Sequence, residues 1–353
     1  MNDLKRSQHR GFGKRILTDS TAVFRLKDIE SSLGETDRAR QKAPPAPPAI
    51  PAPAMPAADK QAQRREPVQA APLVDLSALD ESTRTDIGGE VRPSHSAQKI
   101  VFFASKGGVG ATSVTIHIAG ELVALGHRVC VIDMDLQMGG TAFALGVETN
   151  RSLANLAQAV KKGPDAVADF PIAQHSSGIY VLDQPELAEV EHVGADGLPN
   201  VLNALSKTFD YLLIDGLRDF GDHSIVAMDE ADRIVMVAND DVPSLRCGLR
   251  AADLFRRLGY PADRIKLLLN RNSDQDPSFL EAVTSAFGRS IDWSLPEIPN
   301  ITHCLNDGLL LRTVAPKDRA NHLFANIARD IAGISPMEAP KRSLIGRLFS
   351  RKG

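Results

Sequence analysis

A glycine-rich stretch offers the clearest chemistry in this chain. It reads Ser-Lys-Gly-Gly-Val-Gly-Ala-Thr-Ser over residues 105–113, after an apolar run and before a helix-like pattern. Glycines let the backbone fold so tightly that successive N–H groups converge on an anion, and the following helix N-terminus adds donors. The stretch therefore predicts a phosphate-binding loop. Its predicted binding residues are Lys106, Gly107, Gly108, Val109, Gly110, Ala111, Thr112 and Ser113.

The loop departs from the common P-loop pattern at two positions. That pattern has Gly at its first position and Lys before Ser or Thr, whereas this chain has Ser105 and Ala111. A methyl group cannot neutralise phosphoryl charge, and phosphoryl transfer depends mainly on positioning and charge stabilisation. Ala111 therefore predicts nucleotide binding with slow or absent hydrolysis.

Two carboxylates follow the next apolar run. Asp133 and Asp135 fall on the same side of a strand end if the chain alternates there. Paired acids at the carboxyl edge of a strand can organise magnesium and water, although a helix cap or a solvated loop would use the same residues. The pair predicts a metal-organising position next to the phosphate loop.

The elements that must position these residues follow from the apolar runs. The predicted strands are residues 99–104, 128–133, 179–183, 211–215, 233–238 and 264–270. A helix is predicted over residues 112–125, with Gly126 as its stop. Non-alternating apolar strands separated by helices are typical of a parallel sheet covered on both faces. The sequence thus predicts a doubly wound, mostly parallel α/β domain over residues 98–335.

In this context residues 105–113 resemble the deviant Walker A loop of the MinD/ParA family, Lys-Gly-Gly-x-Gly-Lys-Thr-Thr. The resemblance implies a P-loop NTPase fold that binds ATP and Mg²⁺. It also implies a homodimer in which Lys106 reaches the partner's nucleotide. Thr112 matches the magnesium ligand of the family, and Ala111 falls where the second lysine belongs.

Further residues match the family at later strand ends. Asp135 matches the acid that polarises the attacking water, and Asp215 matches the acid that reaches magnesium through water. With Asp133, they complete the predicted catalytic and metal positions. Asn270 and Arg271 resemble the Asn-Arg pair of the adenine pocket, although a strand-end Asn is also a common turn residue.

Three segments are similar to the CpaE/TadZ branch, whose members position the assembly machinery of Flp/tad-type pili. They are residues 133–137, 243–271 and 298–318. Several members of this branch also replace the second lysine. The chain departs from the branch because residues 1–97 are too rich in Pro to form its receiver-like domain. Gly140 and Gly216 also depart from the usual switch residues.

Both ends of the chain differ from the middle. Residues 43–72 consist mostly of Ala and Pro, so residues 1–97 are predicted to be a disordered extension with a linker. Residues 336–353 resemble the membrane-targeting tail of MinD proteins, with an apolar arc flanked by cations. The apolar residues of this arc are Leu344, Ile345, Leu348 and Phe349. We therefore expect a cytoplasmic protein that binds anionic lipids on the inner face of the membrane.

Charge and composition separate the competing functions. Residues 98–336 carry 21 basic and 30 acidic side chains, a net charge of −9. This charge argues against a ParA-type partitioning ATPase and against a specific nucleic-acid partner. A tyrosine kinase on this fold would need a Tyr-rich tail, which the chain lacks. An accessory protein of cellulose secretion stays open as an alternative to the pilus scaffold. Three widely spaced cysteines argue against a zinc or iron–sulfur site.

Overall fold

The computed structural model describes residues 71–79, 96–272 and 277–337. The predictions for residues 1–70 and 80–95 lie outside the described residues. The same holds for the tail residues 338–353, which include Leu344, Ile345, Leu348 and Phe349.

The described residues form a nine-stranded sheet. Its strands are β1 (Leu73–Asp75), β2 (Gln98–Ala104), β3 (Val129–Asp133), β4 (Pro171–Gln174), β5 (Tyr180–Leu182), β6 (Tyr211–Leu217), β7 (Arg233–Asn239), β8 (Ile265–Asn270) and β9 (Trp293–Ser294). Their order is β1-β4-β5-β3-β6-β2-β7-β8-β9. Every pairing from β5 to β9 is parallel, whereas β1 and β4 pair antiparallel at one edge. The predicted strands and the mostly parallel α/β fold are confirmed.

Helices connect the strands. They are α1 (Ala111–Ala124), α2 (Thr141–Ala144), α3 (Leu153–Lys162), α4 (Pro164–Ala168), α5 (Val190–Val193), α6 (Leu198–Leu205), α7 (Asp222–Glu230), α8 (Val242–Leu258), α9 (Pro277–Phe287), α10 (Ile301–Asn306), α11 (Leu311–Val314) and α12 (Arg319–Ile331). The helix predicted over residues 112–125 is α1, and Gly126 follows it with a φ of 89°. This left-handed conformation suits glycine and ends the helix.

Both faces of the sheet are covered, as the apolar strands require. Along β2, Val101 and Phe103 belong to one core cluster, whereas Ile100 and Phe102 belong to the other. All four are fully or almost fully buried. Successive strand residues point to opposite faces, so this division places a hydrophobic layer on each side of β2.

The N-terminal boundary predicted at residue 98 needs a correction. Residues 73–75, assigned to the disordered extension, form the edge strand β1 on β4, and Leu76 beside it is buried. The N–H of Gln174 also donates to the carbonyl of Pro72 at 3.0 Å. A three-residue strand is too short to show an alternation of apolar and polar residues. The prediction therefore followed the composition of the surrounding segment, which is rich in Ala and Pro.

The carboxyl ends of the parallel strands bring the predicted site residues to one edge. Residues 105–113 follow β2. Asp133 and Asn270 are the last residues of β3 and β8, and Asp215 lies two residues before the end of β6. The chain runs from central β2 to β3 on one side and later crosses to β7 on the other. Ligands of open α/β sheets bind at such a change of direction.

A buried histidine fastens α1 to the C-terminal part of the domain. The Ser113 carbonyl accepts the Nδ1–H of His117 at 2.7 Å, so Nε2 accepts the N–H of Leu311 at 3.1 Å. The ring also stacks on Phe324 with centroids 5.0 Å apart. The neutral imidazole satisfies both neighbours, whereas the doubly protonated ring would present a proton to the Leu311 N–H.

This contact makes the stability of the fold sensitive to acid. Burial lowers the pKa of His117 from its ordinary 6.5 to about 4. As the pH decreases, His117 is protonated in the unfolded chain before it is protonated in the folded protein. The free energy of unfolding therefore falls between pH 6.5 and pH 4. We expect this group to remove about 2 kcal/mol of unfolding free energy between pH 7.5 and pH 5.

Denaturant unfolding of the wild type and of His117→Gln at both pH values measures this loss. The variant should be less stable at pH 7.5 but should lack this part of the pH dependence. Parallel pH profiles for the two proteins would contradict the assignment.

Candidate functional site

The glycine-rich loop has the backbone shape that phosphate binding requires. Gly108 and Gly110 have φ values of 81° and 84°, a region that side-chain-bearing residues rarely adopt. A Cβ atom added to Gly107 or Gly108 would meet no atom within 4 Å. The loop therefore borders open space.

The start of α1 leaves its first backbone donors uncapped. Gly110 is the N-cap residue, and no side chain accepts from the first turn. Helix N-termini with free N–H groups attract anions through these donors and through the helix dipole. The loop and the helix start together fit a phosphate group.

The unusual first residue of the loop is tied to α8. The hydroxyl groups of Ser105 and Ser244 lie 3.0 Å apart, and the Ser244 oxygen also accepts the N–H of Asn239 at 2.8 Å. Next to it, the Lys106 Nζ lies 3.6 Å from a carboxylate oxygen of Asp241. The Lys106 side chain is one-third exposed, so its ammonium group remains accessible.

Ala111 is the first residue of α1 and is buried. Its carbonyl accepts the Thr115 hydroxyl at 2.9 Å. Its methyl group leaves the loop without the cation that the common pattern supplies from this position.

The Asp215 carboxylate is fully buried and surrounded by hydroxyl groups. Thr115 donates to one oxygen at 3.1 Å and Thr141 to the other at 3.0 Å. Thr112 also donates to this carboxylate. Burial raises the pKa of Asp215 to about 6, while the Thr112 hydroxyl opposes this shift and the Asp133 carboxylate adds to it. A cation placed here would stabilise the ionised form.

Asp133 shapes the loop that follows β3. One of its oxygens accepts the N–H of Asp135 at 3.0 Å, and the other accepts those of Gly140 and Thr141 at 2.8 and 2.9 Å. Burial raises the pKa of Asp133, and these backbone donors oppose the shift. Asp133 thus holds residues 135–141, a task that the sequence did not predict; its contact with magnesium stays a prediction.

Asp135 lies at the mouth of the site and carries a cationic partner. One of its oxygens lies 3.1 Å from Nη2 of Arg218, and the other accepts the N–H of Met138 at 3.1 Å. The Asp135 side chain is 16% exposed, whereas that of Arg218 is 46% exposed. In this arrangement the carboxylate is neutralised by the guanidinium.

Gly216 lets the ends of β3 and β6 approach each other. Its φ is 89°, and a Cβ added here would lie 2.8 Å from the Cβ of Asp135 and closer still to its backbone nitrogen. The pairing of β2 with β6 also shifts register between Val101 and Phe103. Such an irregularity re-aims the side chains around it.

Asn270 and Arg271 hold the loop from the end of β8. The Asn270 amide donates to the carbonyl of Val109 at 2.7 Å, and Nη1 of Arg271 donates to that of Gly108 at 3.2 Å. A Cβ on Gly110 would lie 2.7 Å from the Asn270 amide nitrogen. The two residues thus brace the loop, and their contact with adenine stays a prediction.

The residues present fit a magnesium ion that binds through phosphate. Thr112 and Asp215 are joined by a hydrogen bond, and their contact with magnesium stays a prediction. Across the described part of the chain, no group of three or more His, Cys, Asp or Glu side chains could hold a metal by itself. Magnesium usually takes one or two protein ligands together with phosphate oxygens and water.

The sequence reasoning missed several residues of the site. Thr115, Thr141, Arg218, Asp241 and Ser244 all contact a predicted residue. For Arg218 the sequence offers one indication, its position three residues after the predicted Asp215. The other four residues reach the site through contacts with residues far away in the sequence, and no local pattern indicates such contacts.

Comparisons with known proteins show which proteins this chain is similar to. Residues 97–250 match the family model of an AAA domain. The septum site-determining protein MinD of Thermotoga maritima is 25% identical over 243 residues, covering 66% of this chain and 88% of that protein.

Solved structures share the fold. The ParA family ATPase of Chlorobium tepidum superposes with a TM-score of 0.61 at 19% identity, covering 66% of this chain and 98% of the other. MinD of Pyrococcus horikoshii, complexed with Mg-ADP, gives a TM-score of 0.57 at 23% identity, with coverages of 67% and 96%. The chain therefore has the P-loop fold of these proteins.

The close approach at Gly216 generates a stability prediction. Gly216→Ala should destabilise the fold by more than the roughly 1–2 kcal/mol that a left-handed alanine costs, because its methyl group also meets Asp135. Gly259→Ala is the matched control, since Gly259 has a φ of 85° and open space around it. Thermal or denaturant unfolding of both variants measures the difference, and equal losses would contradict the steric account.

Proposed function

We propose that this chain, whose fold and relatives support a MinD/ParA-family P-loop protein, is a MinD-like ATP-binding scaffold. It associates with the inner face of the cytoplasmic membrane and localises the assembly machinery of Flp/tad-type pili. Its hydrolysis of ATP is slow or absent.

One observation carries the nucleotide part of this proposal. The loop of residues 105–113 keeps its left-handed glycines, its open surface and its uncapped helix start, but it has Ala111 in place of a cation. Backbone donors bind phosphate whether or not a lysine is present. The site is therefore suited to holding a nucleotide more than to turning it over.

Each charged residue of the site has a proposed task. Thr112 and Asp215 would hold a magnesium ion, which would neutralise charge on bound phosphates. Asp135 orients the attacking water, a task for which its carboxylate must separate from Arg218. Lys106 provides the cation nearest the start of the loop.

The proposed homodimer rests on Lys106. Its ammonium group is bound only loosely, 3.6 Å from Asp241, and a third of its side chain is exposed. An exposed ion pair of this kind contributes little to stability. Lys106 can therefore leave Asp241 and reach the nucleotide of a second copy.

The pilus role rests on the resemblance of residues 243–271 and 298–318 to the CpaE/TadZ branch. The second segment packs on the phosphate-binding helix, because Leu311 donates to His117 and Arg312 Nη1 donates to the Gly120 carbonyl at 3.1 Å. A partner that contacts this segment would lie one helix away from the nucleotide.

Membrane association rests on the sequence of the tail. Among the described helices, none has the length and apolar character needed to cross a bilayer. Leu344, Ile345, Leu348 and Phe349 instead supply an apolar arc for the membrane surface, and five Lys or Arg residues in residues 337–353 supply charge attraction. Two tails in a dimer would bind more strongly than one.

Restoring the missing lysine tests the nucleotide part of the proposal. Wild-type protein should bind ATP with Mg²⁺ and hydrolyse it very slowly. Ala111→Lys should raise the single-turnover rate by about 10²-fold, because it returns charge stabilisation to the transition state. Ala111→Met is the control, since it adds similar bulk without charge. Wild-type turnover equal to that of lysine-containing relatives would contradict the proposal.

Deleting residues 341–353 tests the membrane part. The deletion, or Phe349→Glu, should release the protein from vesicles that contain anionic lipid, since each nearby cation contributes about 1 kcal/mol. High salt should weaken wild-type binding. In cells, the deletion should also reduce the number of surface pili. Unchanged sedimentation with anionic vesicles would contradict the assignment of the tail.

A further inference from the structure

Arg218 is a half-exposed cation of the site whose ion pair uses only part of its binding capacity. Its guanidinium contacts Asp135 through Nη2, and nearly half of the side chain is exposed. A guanidinium has five N–H donors in a planar fork that suits carboxylate and phosphate oxygens. The contact with Asp135 leaves most of these donors available.

The sheet brings Arg218 to the phosphate loop. Leu217 pairs with Phe103 of β2, so Arg218 is level with Ala104, the residue immediately before the loop. On its other side β6 neighbours β3, whose end leads into Asp135. Arg218 thus stands between the loop and Asp135.

Two other cations at this edge of the sheet contact other groups. Lys106 lies beside Asp241, and Arg271 contacts the Gly108 carbonyl and lies 3.7 Å from Glu297. Ala111 contributes no charge. Arg218 is the cation that stands beside the carboxylate proposed to orient water.

We infer that Arg218 binds the terminal phosphate of a nucleoside triphosphate and releases Asp135 when it does so. This inference rests on the proposed function. In the nucleotide-free protein, Arg218 and Asp135 neutralise each other. A terminal phosphate carries more negative charge than one carboxylate and takes over the guanidinium. Arg218 thereby replaces part of the charge lost at Ala111 and makes the site distinguish a triphosphate from a diphosphate.

The test compares nucleotide affinities of the full chain with Mg²⁺ present. A non-hydrolysable ATP analogue and ADP are titrated into wild type, Arg218→Gln and Arg218→Lys, with binding followed by calorimetry. Arg218→Gln should weaken analogue binding by about tenfold or more, as expected for a lost charge-assisted hydrogen bond. ADP affinity should change far less, and Arg218→Lys should recover part of the loss.

Two further variants sharpen the result. Arg257→Gln removes another exposed Arg–Asp ion pair, that with Asp253 at 2.7 Å, and should leave both affinities unchanged. Asp135→Asn removes the competitor of the phosphate and should tighten analogue binding several-fold with ADP affinity unchanged. This tightening is a result that a merely structural role of Arg218 would not produce.

The outcomes separate this inference from the proposed function. Wild type that binds neither nucleotide would overturn both. Normal wild-type binding with an unchanged Arg218→Gln, or with equal losses for the analogue and ADP, would overturn the role of Arg218 alone. Circular dichroism of each variant shows that it is folded, so that equal losses are not caused by unfolding.

Discussion

The burial of the Asp215 carboxylate is the constraint on which the rest of the site depends. An ionised carboxylate out of contact with water is costly unless hydrogen bonds satisfy its oxygens. Here the donors are threonine hydroxyls from α1 and from the start of α2. Because these hydroxyls all hydrogen-bond to one carboxylate, they hold the end of β6 against the segments that follow β2 and β3. Asp133 extends the same principle to the loop of residues 135–141 by accepting three of its backbone N–H groups.

The charges that remain accessible are arranged in pairs. Lys106 lies beside Asp241 and Arg218 beside Asp135, so these two cations are partly neutralised before any ligand arrives. A phosphate must then compete with these carboxylates, whereas a P-loop with its second lysine offers a cation from within the loop. This difference is the physical basis of the proposal that the protein binds a nucleotide without hydrolysing it rapidly. The structure gives Ala111 a buried position at the start of α1, where its methyl group supplies no charge.

The phosphate loop itself is held from several directions. Ser105 contacts α8 through Ser244, while Asn270 and Arg271 contact the loop carbonyls from β8. A loop supported in this way is already arranged for an anion and loses little conformational entropy on binding. The same contacts join the loop to α8 and β8. The loop is also joined, through α1 and His117, to the segment around Leu311.

The sequence by itself determined the fold and the position of the loop. Apolar runs such as residues 99–104 and 211–215 indicate burial on both faces of the sheet, and Gly108 and Gly110 permit the left-handed backbone of the loop. Both signals are local. It also determined the missing charge at Ala111, because the motif places a lysine at that position and this chain has an alanine. The short edge strand β1 escaped prediction because three residues carry too little pattern. Only the tertiary structure decided that Arg218 meets Asp135, that Thr141 meets Asp215 and that Asn270 braces Val109. The physical reason is that each contact joins residues brought together by strand order, over separations of 74 to 161 positions for the last two, which no periodicity along the chain encodes.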